Sequence, residues 1–480
     1  MHSLYSRRTA LKSLSSGFGY LAFASLAQQA AADESSARGP LAPKQTHFPA
    51  TAKRVIFLSM NGGPSHVDLF DYKPKLSDHE GRSTADSAIA GNKGLMPSPF
   101  QFKRHGESGL WFSELCPHLA RHADELCFIH SMHTDLPNHS QAFLQMHTGS
   151  FQFTRPSVGA WSLYGLGTEN KNLPGFITLN PPSENGGARN YGSAFLPAVY
   201  QATKIGTNQI PEFYAKMLGV DQESGAPLRN MENKLLTKVQ QRKQLDFIRN
   251  LNAQKLQRDV YHPEIEGAIE SFELAYRMQD EVPSLLDVSN ESAATLERYG
   301  IGNGQPTDRF GRQCLLARRM AEAGVRFIEL TAPKGWDHHF QLKTALAESC
   351  LATDQPVAAL LSDLKERGML KDTLVIWAGE FGRTPYAQSG TGRDHNNKGY
   401  TVWMAGGGVK PGTAYGATDE LGYAAVENPV HIHDWHATIL HLLGLDHKQL
   451  TFNYAGRDFR LTDVYGNVVN DIVQFPRLNV

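Results

Sequence analysis

Continuous apolar runs closed by turn formers recur along the chain. Arg54-Val55-Ile56-Phe57-Leu58-Ser59-Met60 is such a run, stopped by Asn61-Gly62-Gly63-Pro64-Ser65. It predicts a strand buried on both faces, followed by a sharp turn. Leu115, Leu119 and Ala123 recur at four-residue spacing and predict a helix over Glu114 to Ala123, and Leu126 to Ile129 predicts a strand. Thr134 to Ser140 then opens a helix over Gln141 to His147, which Thr148-Gly149 ends.

Residues 155–210 are rich in Gly, Pro, Asn and aromatic residues and read as loops. Residues 211–300 carry helical patterns, the longest over Met231 to Asn252, and predict a helical insertion capping a sheet. Alternation then returns. It gives helix Gln313 to Ala323, strand Val325 to Leu330, helix Gln355 to Arg367 and strand Thr373 to Ala378. A short strand at Tyr400 to Ala405 and a helix at Asp434 to Leu443, with Asp434 as its N-cap, complete the pattern. This alternation predicts an α/β protein, a mostly parallel central sheet with helices on both faces.

The N-terminus changes the picture of where the fold begins. Ser6-Arg7-Arg8-Thr9-Ala10-Leu11-Lys12 precedes a mildly apolar stretch, Leu14 to Ala27, and Ala30-Ala31-Ala32. Paired arginines, modest hydrophobicity and small residues before Asp33 are the pattern of a twin-arginine export signal over residues 1–32. The apolar run is shorter than the roughly 20 residues a membrane span needs. The expected mature protein is therefore periplasmic or secreted, without a membrane span, with residues 33–50 as a linker and residues 51–480 as the folded domain.

The 480 residues carry a net charge of −1 and no basic run in the body, which argues against a nucleic-acid partner and for a small-molecule or glycan ester. Four scattered cysteines, Cys116, Cys127, Cys314 and Cys350, suit buried thiols better than a disulfide scaffold, though one or two disulfides are compatible with an oxidising compartment.

The candidate chemistry collects after the predicted strands. Gly335-Trp336-Asp337-His338-His339 follows one strand, Gly379-Glu380-Phe381-Gly382-Arg383-Thr384-Pro385 follows another, and Gly392-Arg393-Asp394-His395-Asn396 lies in a polar, Gly-rich loop. Strand ends at one edge of a parallel sheet are where α/β proteins place their sites, and Asp, Glu and His are ligands for divalent metals. Asp337 and His339 point the same way if their loop is extended, with His338 as an orienting or substitute imidazole. His395 is a further metal ligand candidate, and Glu380 is either a ligand or the partner of Arg383. Asn61, Ser65, His66 and Asp68 form the candidate edge after the first strand, where Gly62-Gly63 would let a backbone approach a ligand closely. His139 stands at a helix start, which favours an anionic ligand. His433 and His436 are weaker candidates. His118 and His122 face away from the apolar stripe and read as surface.

The order of these segments resembles that of sulfatases. Glu114–Gly149 is similar to the segment leading to their nucleophile-bearing helix. Asp354–Gly382, with Gln355 to Leu364, Gly368 and Lys371 to Ile376, is similar to their later helix and strand, and His433 to Leu445 to a late helix. Asn61 to His66, Gly335 to Asp337, Gly379 to Pro385 and Gly392 to Asn396 resemble a secreted, twin-arginine-exported, sulfatase-like family of unknown function within the alkaline phosphatase superfamily. The resemblance implies a three-layer α/β/α sandwich that hydrolyses phosphate or sulfate esters with one or two divalent metals, zinc, manganese or calcium.

Carried over, Asp337, His339 and His395 fit the first metal position. Asn61 stands where the superfamily has Asp, and Glu380-Phe381 where it has Asp-His, which weakens the second position. His139 falls at the nucleophile position, and Cys116-Pro117-His118-Leu119-Ala120 lacks the pattern from which sulfatases make formylglycine. His139, Ser140 or Ser65 as nucleophile, or a water activated by the metal, remain as options. The water is preferred, with His139 or His66 as acid/base and Arg383 as the catalytic cation. The alternative is a catalytically degenerate member acting in binding or assembly.

Overall fold

The computed structural model describes residues 39–474, apart from 79, 82–93, 207–234, 259–262, 303, 334 and 389. The predicted export signal and the start of the helical block thus lie outside the described residues. The central elements are β1 (Arg54–Ser59), β2 (Leu126–His133), α1 (His139–Thr148), α2 (Val158–Leu166), β3 (Phe176–Leu179), β4 (Thr203–Ile205), α3 (Lys238–Arg258) and α4 (Pro263–Leu286). They continue with α5 (Asp308–Glu322), β5 (Phe327–Thr331), α6 (Leu342–Glu366), β6 (Thr373–Ala378), β7 (Gly382–Gln388), β8 (Gly392–Asn396), β9 (Tyr400–Ala405), β10 (Thr413–Tyr415), β11 (Val430–His431) and α7 (Ile432–Leu442).

Among the described residues, nine strands form one sheet in the order β10-β2-β9-β6-β1-β5-β3-β4, with β11 also paired to β2. Every pairing in it is parallel except those of β9. The protein is thus a mixed α/β fold with a mostly parallel central sheet.

β1 lies in the middle of this sheet. Its apolar run is buried on both faces because helices cover both. α1 and α7 pack on the face bearing Phe57 and Glu329, through the His147–Glu329 contact at 3.0 Å and the Phe57–Trp435 ring contact. α2 joins them against Phe176 of β3. α5, which contacts β1 and β5, and α6, packed along α5, form the other layer.

Several local expectations are corrected. Residues 155–210 contain a helix and two sheet strands, α2, β3 and β4. The helix has no polar stripe to betray it, because all of Val158–Leu166 except Tyr164 is buried. The Glu114 to Ala123 region forms only a 3-10 segment, Leu119–Glu125. There His122 is half-buried, with Nε2 3.0 Å from Ser362 Oγ on α6, and so is not a free surface residue. Asp434 is not the N-cap of α7. His431 is, and Asp434 closes a capping box by accepting from the His431 N–H at 3.2 Å. Residues 39–50 do not hang free as a linker: Leu41 is buried and Lys44 Nζ donates to the Tyr164 carbonyl at 2.6 Å. All four cysteines are buried free thiols.

Candidate metal centre

The ends of β1, β2, β5 and β6 meet at one edge of the sheet, and each is followed by a segment that contributes to one cluster. β5 leads to Trp336-Asp337-His338-His339, β6 to Glu380, and β2 to Pro137 and His139. The hairpin of β7 and β8, paired antiparallel, carries Arg383 and His395 over the same edge.

His139, Asp337, His339 and His395 each offer a ligand atom, and these four atoms lie within 4.8 Å of one another. Asp337 Oδ1 is the hub. It lies 2.8 Å from His339 Nε2, 3.2 Å from His139 Nε2 and 3.3 Å from His395 Nε2, while His339 Nε2 and His395 Nε2 are 2.9 Å apart. A tetrahedral zinc with ligands at about 2.0–2.1 Å has ligand–ligand edges of about 3.3 Å, and these separations of 2.8 to 3.3 Å are close to that spacing.

The opposite nitrogen of each ring decides which way its lone pair points. His139 Nδ1 lies 2.6 Å from the Glu380 carboxylate and His395 Nδ1 lies 2.7 Å from the Pro137 carbonyl. Neither partner can donate, so in the neutral form of each ring Nδ1 carries the proton and Nε2 turns a lone pair toward the hub. His339 Nδ1 is held in the same way by Gln388 Oε1. Bare nitrogens 2.9 Å apart repel unless a proton or a cation lies between them. His139 Nε2 is buried, and among the described residues it completes no hydrogen bond, although Asp337 Oδ1 lies 3.2 Å away.

Charges around the cluster are strongly coupled. Burial alone would raise the Asp337 carboxyl, but contacts with His139, His395 and Arg383 hold it far below the ordinary carboxylate range. Burial would lower the His139 imidazole, yet Asp337 and Glu380 outweigh it and raise it to about 9. The His338 ring stands off the cluster, with Nε2 3.3 Å from Ser349 Oγ, and burial with the Arg383 charge pushes it down to about 4.

Other sequence candidates take different places. Glu380 is fully buried and accepts from the Gly62 N–H at 3.0 and 3.1 Å as well as from His139, so it orients a ligand and does not belong to the inner four. Arg383 is fully buried and donates to Asp337 at 2.5 Å and to the carbonyls of Gly62, Gly63 and Arg393. Enclosed this way it braces Asp337 and two loops, a positioning residue and not a cation open to substrate.

Asn61 Oδ1 accepts from Asn185 Nδ2 at 3.0 Å, and the Asn61 carbonyl accepts from the Trp336 N–H. Gly62 has φ +119°, and a Cβ there would come within 2.6 Å of the Asp337 nitrogen. Its glycine therefore serves the approach of the Trp336-Asp337 backbone, where a bound ligand had been expected. His66, expected as acid/base, is buried away from the cluster with Nε2 2.8 Å from the Gly422 carbonyl. Ser65 is buried and donates to Asp68 at 2.5 Å. His436 Nε2 bonds the Met146 carbonyl, and His433 also lies outside the four.

Gln388 and the Pro137 carbonyl are the holders that sequence reasoning missed. A lone glutamine at a strand end and a backbone carbonyl carry no pattern. The only available signal was Pro137, which removes a donor and stiffens the approach to His139.

Fold and cluster together define a mixed α/β protein with a histidine-rich candidate metal site at the edge of a mostly parallel sheet. Residues 52–473 match the family described as "Protein of unknown function (DUF1501)", and the chain belongs to that family. No curated protein matches it.

Solved structures similar to it include the lipoteichoic acid synthase LtaP from Listeria monocytogenes, at 11% identity and TM-score 0.33, covering 88% of this chain and 78% of that one. The phosphonate monoester hydrolase SpPMH from Silicibacter pomeroyi is 13% identical with TM-score 0.30, covering 82% and 73%. Alkaline phosphatase from the Antarctic bacterium TAB5 is 11% identical with TM-score 0.31, covering 82% and 98%.

Proposed function

We propose that this chain is an exported, metal-dependent hydrolase of phosphate or sulfate esters. One divalent ion would be held by His139, His339, His395 and Asp337. The observation that carries this reading is the convergence of three Nε2 atoms on Asp337 Oδ1, with an acceptor behind every ring. Three imidazoles and one carboxylate suit zinc, or manganese, far better than calcium, which takes six to eight oxygens. The carboxylate of Glu380 and the amide oxygen of Asn61 are committed to protein donors, which favours one ion over two. Export rests on Arg7-Arg8 and the small-residue stretch that follows.

When bound, the ion would polarise an ester oxygen and acidify a water. The chain's own residues prepare that chemistry. Arg383 fixes the Asp337 carboxylate, Glu380 fixes the His139 ring, and the Pro137 carbonyl fixes His395. Ser65 is committed to Asp68, Ser140 turns its hydroxyl toward Asn185 at 3.5 Å outside the four, His139 is used as a ligand, and no cysteine belongs to the cluster, so water is the attacking group this reading implies.

A binding or assembly role is the second reading. It is favoured by the raised His139 pKa, since the protonated ring lies between the Asp337 and Glu380 carboxylates, 3.2 and 2.6 Å away, and can balance their charge without any metal. Turnover of phosphate and sulfate esters separates the two. Hydrolysis that needs metal and is abolished by Asp337→Ala supports the hydrolase. Bound metal with no turnover across a broad ester panel supports the binding role.

A further inference from the structure

A cavity of about 640 Å³ opens between the C-terminal end of α1 and the 457–465 segment, a size suited to a small ligand. Its charged groups are unevenly paired. Arg457 bonds Asp463 at 2.5 Å, and Asp135 lies 3.3 Å from His431, so both carboxylates lining the space already face a cation or an imidazole.

Arg155 feels the Asp463 charge, which Arg457 already bonds. Its guanidinium stacks 4.2 Å from the Phe459 ring centre and 5.4 Å from Phe153, and among the described residues it makes no hydrogen bond to a carboxylate. Burial there draws its pKa below the usual arginine value. A stacked guanidinium keeps its planar fork free for a carboxylate, sulfate or phosphate.

A second residue lines the same space. His433 is only 4% exposed, its ring stacks on Tyr465 5.2 Å away, and among the described residues its Nδ1 has no hydrogen-bond partner. At the rim, Phe153 and Tyr465 are 60% and 63% exposed, giving flat apolar faces beside the charged centre. His139 begins α1 and Gly149 caps its other end, so the ten-residue helix sets the cavity about 15 Å from the metal cluster.

We propose that this cavity is a second ligand site, distinct from the metal cluster, which takes an oxyanion group carried on a ring-bearing molecule. Arg155 holds the oxyanion, His433 forms part of the wall, and Phe153 and Tyr465 cover the ring.

The test is calorimetric titration of the full chain with inorganic sulfate, inorganic phosphate, acetate, glucuronate and glucose. Saturable binding of the anions is expected and none of glucose, with glucuronate tighter than acetate because the aromatic rim covers its ring; glucuronate no tighter than acetate would overturn the ring-bearing part. Arg155→Gln should weaken anion binding about tenfold, a change of about 1.4 kcal/mol, while His395→Ala leaves it unchanged. Arg155→Lys, which keeps the charge but loses the fork, should weaken it severalfold and decides the matter if the glutamine variant does not fold. No saturable anion binding, equal binding in the Arg155 variants, or loss of binding in His395→Ala would each overturn the proposal. The last would assign the anion to the metal cluster, and metal content would be unaffected by the Arg155 variants in every case.

Discussion

An imidazole offers a lone pair in a fixed direction only when its other nitrogen is held. In this chain Glu380, Gln388 and the Pro137 carbonyl hold the three rings. Removing the charge of one holder while keeping its shape should therefore loosen the metal without unfolding the protein. Glu380→Gln is expected to weaken zinc affinity about 10- to 100-fold, measured by competition with a chelating dye.

Proton competition gives a second test at this scale. In the metal-free protein His139 titrates near 9, so below that pH an entering ion must displace a proton. Zinc affinity should fall by about tenfold per pH unit on going from pH 9 toward 7. Linkage has the opposite sense for the metal-free fold. The His139 value lies above the ordinary 6.5, so its stabilisation is complete below pH 6.5 and is lost as pH rises through about 9. A metal-free melting temperature that does not decline over that window would contradict this assignment.

The four inner residues were legible in the sequence as residue types, since Asp and His at strand ends announce themselves. Their division of labour was not legible. Whether His139 binds or titrates, and whether Glu380 binds or orients, depends on which atom lies behind each ring, and backbone carbonyls leave no trace in a pattern.

Among the elements, the β7–β8 hairpin is what brings His395 to Asp337. Its anchor is Arg393, fully buried, which grips Asp68 with two bonds at 2.6 and 3.1 Å and donates to the Thr384 and Met96 carbonyls. Asp68 belongs to the short helix His66–Leu69 after β1, so the pair ties hairpin to sheet edge. Asp68→Ala leaves a buried guanidinium unpaired and should cost about 3–5 kcal/mol, read from urea unfolding. A loss under about 1 kcal/mol would place the pair in the weak class of solvated ion pairs. This hairpin was not predicted: Gly, Arg, Asp, His and Asn at 392–396 read as a polar loop, because its strand order comes from burial of Arg393 and not from apolar alternation. β1, β6 and β9 were legible from their continuous apolar runs. α2 was not, since a helix buried all round has no amphipathic stripe, and α6 begins at Leu342, well before the helix start the pattern suggested.

At the scale of the whole molecule, the parallel sheet explains why residues far apart in sequence share one site. Parallel strands place all their C-terminal ends on one edge, and crossover helices return the chain for each addition. The βα alternation made that architecture legible. The position of β9 as an antiparallel strand between β2 and β6 was not, because pairing partners leave no mark on a short apolar run. The central claim is that this edge holds a single divalent ion through His139, Asp337, His339 and His395. Elemental analysis of the full chain purified without chelators, wild type beside His395→Ala, tests it most directly. About one zinc or manganese per chain in the wild type and almost none in the folded variant is the predicted result. Metal-free wild type that is folded, and that takes up neither ion when they are added, would contradict it.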